Sequence, residues 1–590
     1  MKRVYPALFS ALLALASGCG RSETDPAPQS QAPSATQDSS QSQAEAPEQV
    51  SEILARIHFI GTRRLLEDTN AVTLNKIAAL KETAAFRASI LTKLASAPAR
   101  ATGQDPDVST EAAGAVRPLM EDLFSEESFF EARVAEGSKP EWALAVKLKA
   151  ERATQWGANL KAFVAKIGAG DAEELEAGKA SGWKAYAADD AQRFQFLANK
   201  NWAIFGLGGT DGTLPAEMSA KIDAGDNPTP ADEDGQLDFT VDFPRLVEAF
   251  GWTRWEGLPH IDLQTRIDSD AVKTTGSIVF PKDLESELSP WRIPTNTIHD
   301  PLISFTAVNG AAPLLNRQAL FQKLKLTETP NQLFSWAMSG PFYLSYIAAP
   351  AQGSTNQVAA LAPQFEELTK GELTKRGMGV ITNIAGAASA HWVNVLPIVR
   401  PFIGASEEPD DSFLQLGLLP VRRGSFTNPP PAGLLKLVES RENLLYYDWE
   451  ITQARLGQLT TIFQLSSLLS KTPKMSAQTT ADKWVPAVAK YLGNTATEIV
   501  KETPRELKLV RKSHLGLTAV EIMMFAYWAQ GDEFPLDQAQ LPFLPLRESV
   551  KPSMPSAPPA APAPPAPKPA SPKQPEAGAP QSSPGARKPL

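Results

Sequence analysis

Cysteine is almost absent from this chain. Of 590 residues only Cys19 carries a thiol, so no disulfide can form within it and the body is held by packing alone. Histidine is scarce too: His58, His260, His299, His391 and His514 are scattered, and no two lie at metal-ligand spacing. There is no His-Glu-x-x-His and no Gly-x-Ser-x-Gly elbow. Excess positive charge is also missing. The formal charge is −9, to which 1–18 give +2, 19–50 give −4 and 551–590 give +4, leaving −11 for the body. An acidic body argues against a nucleic-acid partner, because phosphate binding needs clustered Lys and Arg. No cofactor is expected.

What is present begins with an export signal. Lys2 and Arg3 precede an apolar run from Val4 to Ala16, then the small residues Ser17 and Gly18. The run falls short of the ~20 residues that span a bilayer. The stretch Leu15-Ala16-Ser17-Gly18-Cys19 resembles the lipobox of bacterial lipoproteins. That resemblance implies acylation of Cys19, cleavage of 1–18 and a membrane anchor. Gly20, where members retained in the inner membrane commonly carry Asp, favours the periplasmic side of the outer membrane. Ala16 departs from the usual leucine.

Both ends are linkers. Residues 19–48 are mostly Ser, Gln, Ala and Pro and bury too little apolar surface to order, so they read as a tether. Residues 551–590 contain fourteen prolines and read as a disordered tail. In polyproline II, at ~3.1 Å per residue, that tail reaches on the order of 100 Å. A protein or cell-wall partner could meet the chain there.

About 43 % of the whole chain is apolar, enough for several cores between the linkers. Ile53, Ile57 and Ile60, then Leu74, Ile77 and Leu80 with Phe86, Ile90 and Leu94, recur at helical spacing. Ser138 and Glu141 look like a capping box opening a helix through Trp142, Trp156 and Phe163. Residues 49–170 are therefore expected to form a helical bundle. Beyond 180 the period becomes two. Phe194 and Phe196 alternate with Trp202 and Ile204 across Asn199-Lys200-Asn201, and His260–Ile267 pairs with Thr275–Phe280. Thr495–Val500 and Glu506–Arg511 form a hairpin; Thr518 and Glu521 cap a helix from Ala519 to Gln530, stopped by Gly531. Pro301–Val308 and Asn443–Ile451 share a strand-then-helix order about 140 residues apart, which suggests an internal duplication. The expected class is α+β: an N-terminal helical bundle, then a mixed, mainly antiparallel sheet with flanking helices in domains at 180–300 and 301–545.

Four stretches invite chemistry. In Tyr446-Tyr447-Asp448-Trp449-Glu450, alternate residues share a strand face, so Asp448 and Glu450 project together. Neighbouring carboxylates split their pKa values, which acid–base catalysis exploits. The segment resembles the end of the catalytic strand of family 18 chitinases, which implies Glu450 as proton donor and Asp448 as its orienting partner. Asn443 and Tyr446 replace the first two acids of that pattern. A solvent-facing acidic strand edge is the favoured alternative. Gly206-Leu207-Gly208-Gly209-Thr210-Asp211-Gly212 suggests a phosphate cradle, but its third glycine is misplaced and a strand-end turn is favoured. Ser181-Gly182-Trp183-Lys184 matches Ser-x-x-Lys without the accompanying Lys-Thr-Gly. The acidic loop with Asp226, Asp232, Asp234 and Asp238 offers oxygen ligands for calcium without EF-hand spacing; a mobile loop is favoured.

The sequence therefore predicts a lipid-anchored envelope protein with a binding, scaffold or structural role. Two alternatives stand beside it. One is a glycan-processing hydrolase using Asp448 and Glu450, with Trp252, Trp255, Trp336, Trp392 and Trp449 for sugar stacking. The other is a periplasmic carrier or chaperone for apolar cargo.

Overall fold

A computed structural model describes residues 52–535. The exceptions are 102–105, 135–138, 167–168, 188–192, 210–211, 232–234, 251–256, 319–320, 323, 325, 327, 342–343, 376–379, 384–388, 394–398, 409–410, 420–427, 470–478 and 532–533. Cys19, the tether and the Pro-rich tail lie outside the described residues, as do Ser138, Trp252, Trp255, Asp232 and Asp234.

Among the described residues twenty strands form one sheet, and every pairing between them is antiparallel. The first ten strands are β1 (Glu52–Phe59), β2 (Ser128–Val134), β3 (Glu141–Lys147), β4 (Glu173–Ala177), β5 (Ala180–Tyr186), β6 (Arg193–Asn199), β7 (Trp202–Gly208), β8 (Leu237–Asp242), β9 (His260–Asp268) and β10 (Ala271–Val279). The second ten are β11 (Leu302–Asn309), β12 (Gln332–Met338), β13 (Ser345–Pro350), β14 (Val380–Asn383), β15 (Ser389–Val393), β16 (Phe402–Glu408), β17 (Asp411–Gly417), β18 (Leu444–Ile451), β19 (Asn494–Lys501) and β20 (Glu506–Ser513).

Pairings fix the order. The first half runs β4-β5-β6-β7-β3-β2-β1-β8-β9-β10. The second runs β20-β19-β18-β11-β12-β13-β17-β16-β15-β14. Each strand of the second half occupies the place of the strand ten earlier, and the halves join where β10 pairs with β20, Thr274 opposite Arg511. The repeating unit is thus ten strands long. Pro301–Val308 and Asn443–Ile451 are not copies of each other in this order: they are neighbours, Ser304 facing Glu450.

Helices follow the same plan. After β3 comes α5 (Ala150–Lys166) and after β13 comes α9 (Ser354–Lys375); β7 leads to α6 (Leu214–Ala224) and β17 to α10 (Ala432–Glu439). After β8 comes α7 (Phe243–Phe250), and after β18 come α11 (Thr452–Leu469) and α12 (Thr480–Ala489). The halves differ after their first strand. There the first half inserts α1 (Thr62–Glu67), α2 (Val72–Ala78), α3 (Lys81–Ala101) and α4 (Pro106–Ser125), where the second carries the short α8 (Ala312–Asn316). Helix α13 (Ala519–Gln530) closes the second half.

The expected N-terminal bundle is overturned. Ile53 and Ile57 lie on β1, and Trp142 lies on β3 rather than in a helix, which starts only at Ala150. Both faces of these strands are covered: Leu54, Ala55, Ile57 and His58 are all buried, as is the run Trp142–Val146. A strand buried on both faces loses its alternation, and apolar residues on it can fall at helical spacing by accident. One core packs β1–β3 and β5–β8 against α4, α5 and α7; another joins α3, α11, α12 and α13. The sheet crosses the boundaries expected at 180 and 301, through β1–β8 and β10–β20.

Candidate functional site: the acidic pair on strand β18

Strand β18 lies between β11 and β19, so it is interior and not an edge. Tyr447 packs with Trp449 into the core that holds Phe305 and Trp336, while Asp448 and Glu450 point to the opposite face. There they are covered: Asp448 is 8 % exposed and Glu450 3 %. The expected solvent-facing position is therefore replaced by burial.

Polar partners compensate. On neighbouring strands Thr306, Asp448, Thr497 and Arg511 fall in one register row. Thr306 Oγ1 donates to Asp448 Oδ1 at 2.7 Å. Arg511 Nε donates to Thr497 Oγ1 at 3.0 Å, and its two Nη atoms fork onto Glu521 at 2.8 and 2.9 Å. Glu521 in turn accepts the Thr518 N–H at 2.8 Å, completing the capping box of α13. The first N–H of that helix, Ala519, donates to Glu450 Oε1 at 2.6 Å, where the helix dipole favours negative charge. Thr452, which opens α11, adds a 3.1 Å hydrogen bond to the same oxygen and contacts Thr495 Oγ1 at 2.7 Å.

Burial decides the acidities. Loss of water, aided by the charge on Asp448, pushes Glu450 up to about 7, against the opposing hydrogen bonds from Ala519 and Thr452. Burial also raises Asp448, with the Thr306 hydrogen bond opposing it. Arg455, on α11, is lowered by burial while both carboxylates pull it the other way. Burial thus brings the acidity of Glu450 toward neutrality, between a sheet and the start of two helices.

A second polar cluster lies in the first half. His58 is 5 % exposed on β1 and stacks on Phe129 with ring centroids 4.3 Å apart. Its Nδ1 is 3.3 Å from Asp238 Oδ2 and its Nε2 3.4 Å from Glu127 Oε1. Lys147 Nζ holds the other Glu127 oxygen at 2.6 Å. Burial would raise Glu127, but His58 and Lys147 outweigh it and hold the carboxyl at about 2. Burial likewise disfavours the charged imidazole, and the two carboxylates reverse that, raising His58 above its ordinary value.

No protein-family model, curated protein or solved structure matches the chain.

The remaining candidates take structural places. Asp238 lies on β8 against His58, and among the described residues no group of three or more His, Cys, Asp or Glu side chains could hold a metal ion. Gly206–Gly208 ends β7, and Glu141 accepts the N–H of Leu214 at the start of α6, at 3.1 Å. Ser181–Lys184 lies on β5, with Lys184 Nζ 3.0 Å from Glu173. Trp336 stacks on Tyr346 and Trp392 meets Phe365 edge-on, both buried. Sequence reasoning missed Arg455 and Arg511 as companions of the acidic pair, and counted His58 only as one scattered histidine without a partner at metal-ligand spacing. Its partners are 69 and 180 residues away, so no local spacing marks them.

Proposed function

We propose that this chain is a lipid-anchored protein of the cell envelope with a scaffold role, tethered through Cys19 and offering its proline-rich tail, residues 551–590, to a protein or cell-wall partner. The observation that carries the reading is how Glu450 is used. A carboxylate that already takes the Ala519 N–H and the Thr452 hydroxyl, at 3 % exposure, fastens α11 and α13 to the sheet rather than meeting a substrate. The strongest catalytic candidate is thereby spent on architecture, in a body whose ten-strand units join into one sheet.

The test has two parts. Wild-type protein should incorporate a labelled fatty acid and sediment with membranes, and Cys19→Ala should do neither; equal sedimentation without label overturns the anchor. Cross-linking in intact cells should capture a specific partner with the full chain and lose it with a chain ending at Val550. Capture that is indifferent to the truncation overturns the role of the tail.

A second reading, a glycan hydrolase, is favoured by one feature: a buried Glu450 with its acidity near 7 beside Asp448 resembles an acid held ready for proton donation. Glycan cleavage by the wild type that Glu450→Gln abolishes would select it.

A further inference from the structure

We propose that His58 is a proton-operated clamp in the first half of the sheet: protonated, it ties β8 and the residue ahead of β2 to β1, and losing one proton releases one of the two ties. The geometry demands this. Both ring nitrogens face carboxylate oxygens, Asp238 Oδ2 at 3.3 Å and Glu127 Oε1 at 3.4 Å. A carboxylate at the acidity found for Glu127 only accepts, and a neutral imidazole has one N–H to donate. No tautomer of neutral His58 can satisfy both oxygens; the imidazolium satisfies both.

The surroundings keep the clamp in place. The ring stacks on Phe129, so it cannot swing away without losing that contact. Glu127 is held from β3 by Lys147 at 2.6 Å and lies 3.7 Å from Arg64 of α1. Arg56, two residues along β1, is paired with Glu131 of β2 at 2.8 Å. On β9, Gln264 sits opposite Asp238 in register and Arg266 lies two residues on. Glu127 is fully ionised across the neutral range, and His58 is the group placed to change state there.

The sign follows from the direction of the shift. A histidine whose value is raised on folding stabilises the fold fully below about 6.5 and loses that contribution as pH climbs through the folded value. In a compartment whose pH follows the surroundings, β1 would be gripped in acid and loosened in alkali.

Two measurements on the full chain test the clamp. With ¹³C-labelled histidine, the ring signal that disappears in His58→Asn should titrate above the ~6.5 of a model peptide. Glu127→Gln should shift that midpoint downward. A wild-type midpoint at or below ~6.5, or one unmoved by Glu127→Gln, overturns the proposal. In hydrogen exchange corrected for intrinsic rate, the wild-type segments 52–59 and 237–242 should lose protection as the His58 signal titrates, and His58→Gln should show no such step. An identical step in His58→Gln overturns it as well. Should His58→Gln fail to fold, the titration with Glu127→Gln still decides.

Discussion

Glu450 of β18 accepts the backbone N–H of Ala519 at 2.6 Å, so a carboxylate on an interior strand caps a helix that starts 69 residues later. The contact joins two devices that are separately ordinary, an acid on a strand and an open helix N-terminus, into a fastening of α13 on the sheet. It is made in the interior, where an uncompensated charge is costly.

That cost sets a pH dependence. Because burial raises Glu450 to about 7 in the fold, against 4.5 for the free side chain, the protonated form is favoured by folding. Its contribution is intact below pH 4.5 and is lost as pH rises to about 7, beyond which the penalty is constant. Glu450→Gln keeps an oxygen for the Ala519 N–H and removes the charge. It should leave stability unchanged near pH 4.5 and raise it by on the order of 3 kcal/mol at pH 8. Urea unfolding at the two pH values checks this; a variant less stable at pH 8 would count against a buried, strained charge.

Arg511 is the hub on the neighbouring row, donating to Thr497, Gly516 and both oxygens of Glu521. Arg511→Met should cost about 2–3 kcal/mol, since charge-assisted hydrogen bonds are lost and their acceptors stranded. Arg511→Lys should recover only part, because an ammonium cannot fork onto a carboxylate while reaching Thr497. Full recovery by lysine, read from unfolding midpoints, would show that charge alone matters at this position.

Gly182 tests packing without charge. A Cβ there would sit 1.9 Å from the Phe196 carbonyl oxygen on the paired strand, a backbone atom that cannot step aside cheaply. Gly182→Ala should destabilise the first half by roughly 1–3 kcal/mol. If its thermal midpoint equals that of the wild type, the β5–β6 approach is looser than described.

Several elements were legible in the sequence. The β9–β10 and β19–β20 hairpins and the β6–β7 pair stand where alternation and turn residues put them. The Thr518 and Glu521 box starts α13 as expected, and Ile77 and Phe86 lie on helices. These signals are local: a cap, a tight turn or a half-buried strand writes itself into a few adjacent residues. Strands β1 and β3 were not legible, because cover on both faces erased the alternation that marks a strand.

By itself the sequence determined the single thiol at Cys19, the acidic balance of the stretch between a Ser/Gln-rich N-terminal segment and a Pro-rich C-terminal one, and the hairpins and caps whose partners lie within a few residues. Only tertiary structure decided the rest. It placed β10 beside β20 so that two ten-strand units share one sheet, buried Asp448 and Glu450 beneath α11 and α13, and set Glu127 and Asp238 on either side of His58. Those relationships depend on which distant segments meet, and burial, which sets the acidities of Glu450 and His58, exists only after they have met.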